Sequence, residues 1–132
     1  GIIKGKLAYM SPEQVRGTAL DHRSDVFALG IVFFELLTAR RLFRRDSDLE
    51  TFDAVRQCQV PRPSEFNPAI PPALEAILLK SLARNADERY LSASAFNEAI
   101  REFAMSHRMN FRGDQLGTWM RKLFARSHAS AG

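Results

Sequence analysis

Wherever the apolar positions of this chain form a pattern, the pattern has helical spacing. Residues 1–10 carry two glycines and no periodicity, so they read as an extended loop. Ser11 to Arg16 reads as a short helix. Ser11 suits the cap, Pro12 the first helical position and Glu13 the positive helix start, and Gly17 stops it. A polar connection over 18–23 follows. Ser24 and Asp25 then give a helix-start signal, and from Val26 to Leu37 only Gly30 and Glu35 are not apolar. A helix that is apolar almost all round is buried on most faces. This one is too short for a bilayer, which takes about 20 apolar residues, so it reads as a central core helix.

The second half repeats the helical spacing with less intensity. Residues 49–59 read as a helix with Leu49, Phe52 and Val55 on one side. Residues 61–72 hold five of the six prolines and predict a long irregular crossing segment. Leu74, Ile77, Leu78 and Leu82 predict a helix over 72–84, and Phe96, Ala99, Ile100, Phe103 and Ala104 another over 92–105, with Ser92 or Ser94 as its cap. A polar connection, 84–90, separates them. After a polar break at 106–113, Leu116, Trp119, Met120, Leu123 and Phe124 form the stripe of a last helix over 114–126. No strand pattern, repeat or low-complexity segment is present. The predicted fold class is all-α.

Composition adds bounds to this picture. The 132 residues, 45% hydrophobic and 26% charged, suit one soluble globular unit with a real core. A piece of a larger domain also fits that size, and the first residue is Gly1, not Met; a piece is the expectation. The single cysteine, Cys58, excludes an internal disulfide, and no secretory signal opens the chain, so a reducing cytoplasmic setting is expected. With no His or Lys beside it in sequence, Cys58 reads as a passive thiol. The net charge of +4 resides in the tail: residues 1–105 carry fourteen basic and fourteen acidic side chains, and 106–132 carry five against one. A neutral body argues against nucleic-acid binding. Residues 39–49 place four arginines before two aspartates, which reads as a solvated loop or as a docking patch for an acidic partner. His22, His107 and His128 are too scattered for a metal cluster, one cysteine builds no zinc site, and no G-x-S-x-G elbow occurs.

Three local patterns stand in a fixed order: Gly5-Lys6-Leu7-Ala8-Tyr9-Met10-Ser11-Pro12-Glu13, then Asp21-His22-Arg23-Ser24-Asp25-Val26-Phe27-Ala28-Leu29-Gly30, then Asn85-Ala86-Asp87-Glu88-Arg89-Tyr90. Each alone is weak to moderate. Together, at these separations, they resemble the C-lobe of the eukaryotic-like serine/threonine protein kinases of bacteria. The resemblance covers about residues 1–104. It implies a partial domain, the helical C-lobe of the protein-kinase fold, over 1–105, followed by a post-kinase linker with a basic amphipathic helix over 106–132.

The resemblance also implies roles. Gly5, Lys6, Leu7, Ala8, Tyr9 and Met10 match the loop on which a substrate peptide lies; Tyr9 itself reads equally as core packing or as a substrate contact. Residues 5–13 end in the A-P-E motif that closes the activation segment, with Ser11 in place of its Ala. Glu13 matches the glutamate of that motif and Arg89 the arginine that pairs with it. Without the resemblance, Glu13 is also readable as a helix-start charge and Arg89 as a surface arginine. A bidentate pair would tie the activation segment to the helical body, and losing one partner of a buried pair costs about 3–5 kcal/mol. Asp25 matches the aspartate that anchors the catalytic loop, beside its plainer reading as a helix cap. Lys6 departs from the family, which usually has a threonine there that contacts the catalytic aspartate. A lysine only donates, so the departure touches substrate geometry and the Ser/Thr preference.

Phosphoryl transfer needs a Gly-rich loop, a strand lysine, an H-R-D-type loop and a D-F-G aspartate. The sequence contains no G-x-G-x-x-G, H-R-D or D-F-G, and in the family all these parts lie upstream of the segment that Gly1 opens. The implied function is therefore a fragment of a serine/threonine protein kinase that supplies the peptide-positioning loop and scaffold and is inactive alone. No catalytic, cofactor-binding or metal-binding residue is expected in this chain, and ATP and Mg2+ are expected for the intact kinase. Expected partners are protein substrates at residues 5–13 and the missing N-terminal part of the kinase domain, whose absence would expose apolar surface and favour association. The helix over 114–126 would dock on the body, bind a partner or, less favoured, lie on an anionic membrane. No transmembrane span is present, though one could follow in a longer parent chain and anchor it to a membrane. The alternative function is a non-catalytic helical adaptor module of kinase-like fold that presents the loop at 1–13.

Overall fold

The computed structural model describes residues 7–18 and 21–106. Its helices are α1 (Pro12–Val15), α2 (His22–Thr38), α3 (Asp48–Gln57), α4 (Pro72–Ser81) and α5 (Ala93–Ser106), with 3-10 turns at Pro63–Glu65 and Ala86–Glu88. There is no strand among the described residues. Leu7 and the expected loop residues after it, to Met10, are described; Gly5, Lys6 and the expected helix over 114–126 lie outside the described residues.

Helix α2 is the axis of the molecule. Val26, Phe27, Ile31, Phe33, Phe34 and Leu37 are all buried, and α4 and α5 pack against it. Full burial of each such side chain stabilises the fold by about 1.5–3 kcal/mol, so this one helix carries a large share of the core. The α2–α4 approach is close at Gly30: a methyl group there would meet the Ser81 hydroxyl and Leu82 Cδ2, the latter at 2.9 Å. Two apolar positions on α2, Leu29 and Val32, remain exposed. No helix among the described residues is long and apolar enough to cross a membrane.

Three sequence expectations are corrected in detail. The central helix begins at His22, three residues ahead of Asp25. Asp21 is its cap: extended backbone (φ −139°, ψ 153°) lets the Asp21 carboxylate accept the Arg23 N–H. Asp25 therefore does not cap; it lies exposed in the first turn. Helix α3, capped by Ser47, does not bury Leu49 and Phe52, which are 72% and 36% exposed. Its inward face carries Thr51 and Val55, one turn apart, because the Thr51 hydroxyl takes the Arg45 N–H at 2.9 Å and so occupies the buried slot as a polar link. Helix α4 stops at Ser81, short of 84.

The proline-rich crossing is irregular apart from its 3-10 turn, yet it is fastened. Buried Glu75 on α4 accepts from the Ser64 N–H at 2.8 Å and from Arg62 Nε at 3.2 Å. Asn67 Nδ2 donates to the Leu37 carbonyl at 2.8 Å, satisfying an orphan group at the end of α2. Of the two candidate caps for α5, Ser92 does the work: its hydroxyl accepts the Ala95 N–H.

Candidate functional site

The candidate site is the segment Leu7–Thr18 and what holds it to the helical body. Its scaffold is local. Ser11 and Gln14 form a reciprocal capping box: the Gln14 N–H reaches Ser11 Oγ, and Gln14 Oε1 accepts the Ser11 N–H at 2.8 Å. At the other end Gly17 takes a left-handed φ of 78°, its N–H bonding the Gln14 carbonyl while the Thr18 N–H reaches the Glu13 carbonyl. That Schellman closure needs a residue free to adopt positive φ, which glycine supplies. A helix of only four residues is thus capped at both ends, and the caps fix where Glu13 points.

Glu13 points inward to Arg89. Arg89 Nη1 donates to Glu13 Oε2 at 2.6 Å and Nη2 to Oε1 at 2.8 Å, a bidentate pair. Arg89 is only 3% exposed. Its other donors reach backbone carbonyls: Nε that of Ala83, Nη1 that of Arg23, Nη2 that of Arg84. All five guanidinium N–H groups are thereby used, and the cation also lies 4.7 Å over the Phe27 ring. Ser24 Oγ donates to Glu13 Oε2 at 3.0 Å, and Ser11 Oγ donates in turn to Ser24 Oγ. Burial on its own pushes the Glu13 carboxyl upward, but the Arg89 hydrogen bonds, a backbone hydrogen bond, the Arg89 charge and Ser24 together hold it at about 2. The pair fastens α1 to the start of α2 and to the connection after α4.

A second fastening lies earlier in the loop, at Tyr9. The Tyr9 hydroxyl donates to Glu35 Oε1 at 2.6 Å, and the Leu42 N–H donates to Glu35 Oε2 at 3.0 Å. Arg41 Nη1 donates to the Tyr9 oxygen at 3.2 Å and lies 3.8 Å from Glu35 Oε1. Partial burial, then the Glu35 hydrogen bond and charge, raise the Tyr9 hydroxyl above its ordinary range, with Arg41 opposing. The ring of Tyr9 lies against the core, as its packing reading expects, and the hydroxyl faces this cluster. Glu35 and Arg41 escaped the sequence reading as site residues. The signal was there: Glu35 is the one charged position inside an otherwise apolar run.

The remaining site expectations fall as follows. Ala8 is buried, and Leu7 and Met10 are half-buried. Asp25 is exposed on α2, next to Ser24. Cys58 caps α3 in a left-handed conformation (φ 51°), and burial raises its thiol pKa, which suits an unreactive thiol. Among the described residues no group of three or more His, Cys, Asp or Glu side chains gathers to hold a metal ion.

A helical body with a capped loop pinned by a buried carboxylate–guanidinium pair is the arrangement of a protein-kinase C-lobe. The protein kinase domain family matches residues 2–101, and the chain belongs to that family. It is 41% identical over 124 residues to the tyrosine-protein kinase MasK of Myxococcus xanthus, covering 94% of this chain and 19% of that protein. It is 40% identical over 106 residues to the serine/threonine-protein kinase PksC of Streptomyces coelicolor, covering 80% of this chain and 19% of that protein. With the serine/threonine-protein kinase PknB of Mycolicibacterium smegmatis the identity is 44% over 91 residues, 68% of this chain and 14% of that protein. The chain thus spans less than a fifth of the length of these curated relatives. Among solved structures, the twitchin kinase region from C. elegans superposes with a TM-score of 0.64 at 19% identity, over 74% of this chain and 17% of that one, which shows the shared fold.

Proposed function

We propose that this chain is the substrate-facing part of a bacterial serine/threonine protein kinase, a domain that transfers the γ-phosphoryl group of ATP to a serine or threonine hydroxyl of a protein. The observation that carries the reading is the Glu13–Arg89 pair, a bidentate buried link that gives the loop one fixed position on the helical body. Positioning is most of what a kinase domain contributes to phosphoryl transfer. On this reading Gly5, Lys6, Leu7, Ala8, Tyr9 and Met10 form the bed for the acceptor peptide. Exposed Asp25 anchors the catalytic loop, and exposed Leu29 and Val32 are covered by the rest of the domain. ATP and Mg2+ bind to parts of the full-length protein outside this chain. Serine/threonine specificity is supported by the names of PksC and PknB, while MasK is named a tyrosine kinase.

The test is transfer of labelled phosphate from ATP by this chain and by a version extended upstream, followed by phosphoamino-acid analysis. Transfer by the extended protein alone, onto serine or threonine, is expected. Transfer by the 132-residue chain by itself would move the chemistry into these residues and overturn the reading. Phosphotyrosine as the sole product would overturn the specificity and leave the kinase reading in place.

A further inference from the structure

Beside the loop, Tyr9, Val32, Glu35, Leu36 and Arg41 line a cavity of about 330 Å³. Its one acid is already engaged. Glu35 Oε1 accepts the Tyr9 hydroxyl and Oε2 the Leu42 N–H, and the Arg41 guanidinium covers Oε1 from the solvent side at 3.8 Å. Arg41 is in the opposite condition. Its side chain is 60% exposed, and among the described residues its one hydrogen bond is to Tyr9. The other N–H groups of the guanidinium have no hydrogen-bond partner among the described residues, and a guanidinium fork matches a carboxylate. Arg40, also on the cavity wall, lies 4.4 Å over the Phe66 ring and adds a second positive charge. Two guanidinium groups against one carboxylate leave the cavity with one net positive charge, while Val32 and Leu36 offer an apolar wall for a methylene stem.

We propose that this cavity selects an acidic side chain, aspartate or glutamate, of the substrate peptide, with Arg41 as the residue that determines the preference. The inference rests on the reading above that the peptide lies along Leu7–Met10, and it names the substrate class of that same site. An acidic side chain meets the open fork of Arg41 without displacing anything. A basic side chain would have to displace Arg41 from Glu35 and Tyr9 before it gained a partner.

The experiment uses the full-length kinase that carries this chain, a random acceptor-peptide pool, and peptide sets that differ only by Glu, Gln or Lys at each position flanking the acceptor. The wild type is expected to favour Glu over Gln at one position by about three- to fivefold in kcat/KM, the size of a half-exposed charge pair. Arg41→Ala brings that ratio to about one, and Arg41→Glu reverses it in favour of Lys. Arg44→Ala, an exposed arginine of the same loop outside the cavity, leaves it unmoved. Melting curves of the Arg41 variants, with Arg41→Gln as the milder change, separate lost recognition from lost folding. A wild-type preference for Lys, or a Glu preference that survives Arg41→Glu, overturns the inference alone. A wild type that phosphorylates no member of the pool overturns the kinase reading and the inference with it.

Discussion

Two glutamates hold the loop segment to the body, and they do so under opposite conditions. Glu13 meets an arginine that is 3% exposed and whose every donor is used. Glu35 meets an arginine that is 60% exposed and makes a single hydrogen bond among the described residues. The chemical groups are the same and the settings differ. In the first, desolvation is severe and the geometry has to be complete to repay it. In the second, water screens the pair and leaves Arg41 free to turn to another partner. A fully satisfied buried pair fixes one arrangement, whereas a half-exposed pair can exchange. The loop is thus rigid on its Glu13 side and adaptable on its Tyr9 side.

The largest effect that would test this contrast is at Arg89. Arg89→Ala leaves Glu13 buried without its cation and should cost about 3–5 kcal/mol in urea unfolding. Arg89→Lys should recover little, since an ammonium lacks the planar fork that reaches one carboxylate and three carbonyls together. If Arg41→Ala costs as much as Arg89→Ala, the contrast between the two sides is wrong. Next in size is Gly30→Ala, expected to cost about 1–3 kcal/mol by overpacking α2 against Ser81 and Leu82. Because the carbonyls of Ala83 and Arg84 that hold Arg89 follow directly on α4, this change should loosen the Glu13 side and leave the Tyr9 hydroxyl environment unchanged. Aromatic NMR shifts of Tyr9 would report that.

Acid sharpens the comparison further. Glu13 has its carboxyl pKa lowered from 4.5 to about 2, so its share of stability is whole above about pH 4.5 and is lost as the pH falls through about 2. Stability should therefore decline between those limits in the wild type, and Glu13→Gln should flatten that limb when unfolding is measured across pH 2–6. The smallest effect is Tyr9→Phe, which removes one half-exposed hydroxyl and should cost about 0.5–1.5 kcal/mol in the same unfolding measurement.

Much of this architecture was legible from residue order. The apolar run Val26–Leu37 identified the central helix, and the stripes of α4 and α5 lie where their spacing put them, because a helix that buries one face must show the 3.6-residue period. Glu13 and Arg89 lie 76 positions apart; no local pattern links them, and only the resemblance suggested that they meet. The errors have physical sources as well. Ser24-Asp25 looks like a cap, but Asp21 provides an earlier one, and a helix starts at the first side chain that can satisfy its free N–H groups. On α3, Leu49 and Phe52 are the more apolar choice, yet Thr51 faces inward because it answers a loop N–H that burial would otherwise orphan. The Tyr9–Glu35–Arg41 cluster joins three separate stretches of chain, and that juxtaposition is a property of the fold that spacing does not encode.

The separation of Glu13 from Arg89 also bears on kinetics. A contact between residues 76 positions apart gives nothing back until the intervening chain has been ordered, whereas the caps of α1 and the period of α2 reward folding locally. The pair is accordingly predicted to form after the transition state. Arg89→Ala should then leave the folding arm of the chevron nearly in place and raise the unfolding arm by most of the lost stability, so the residue that positions the loop also sets how long the native state persists.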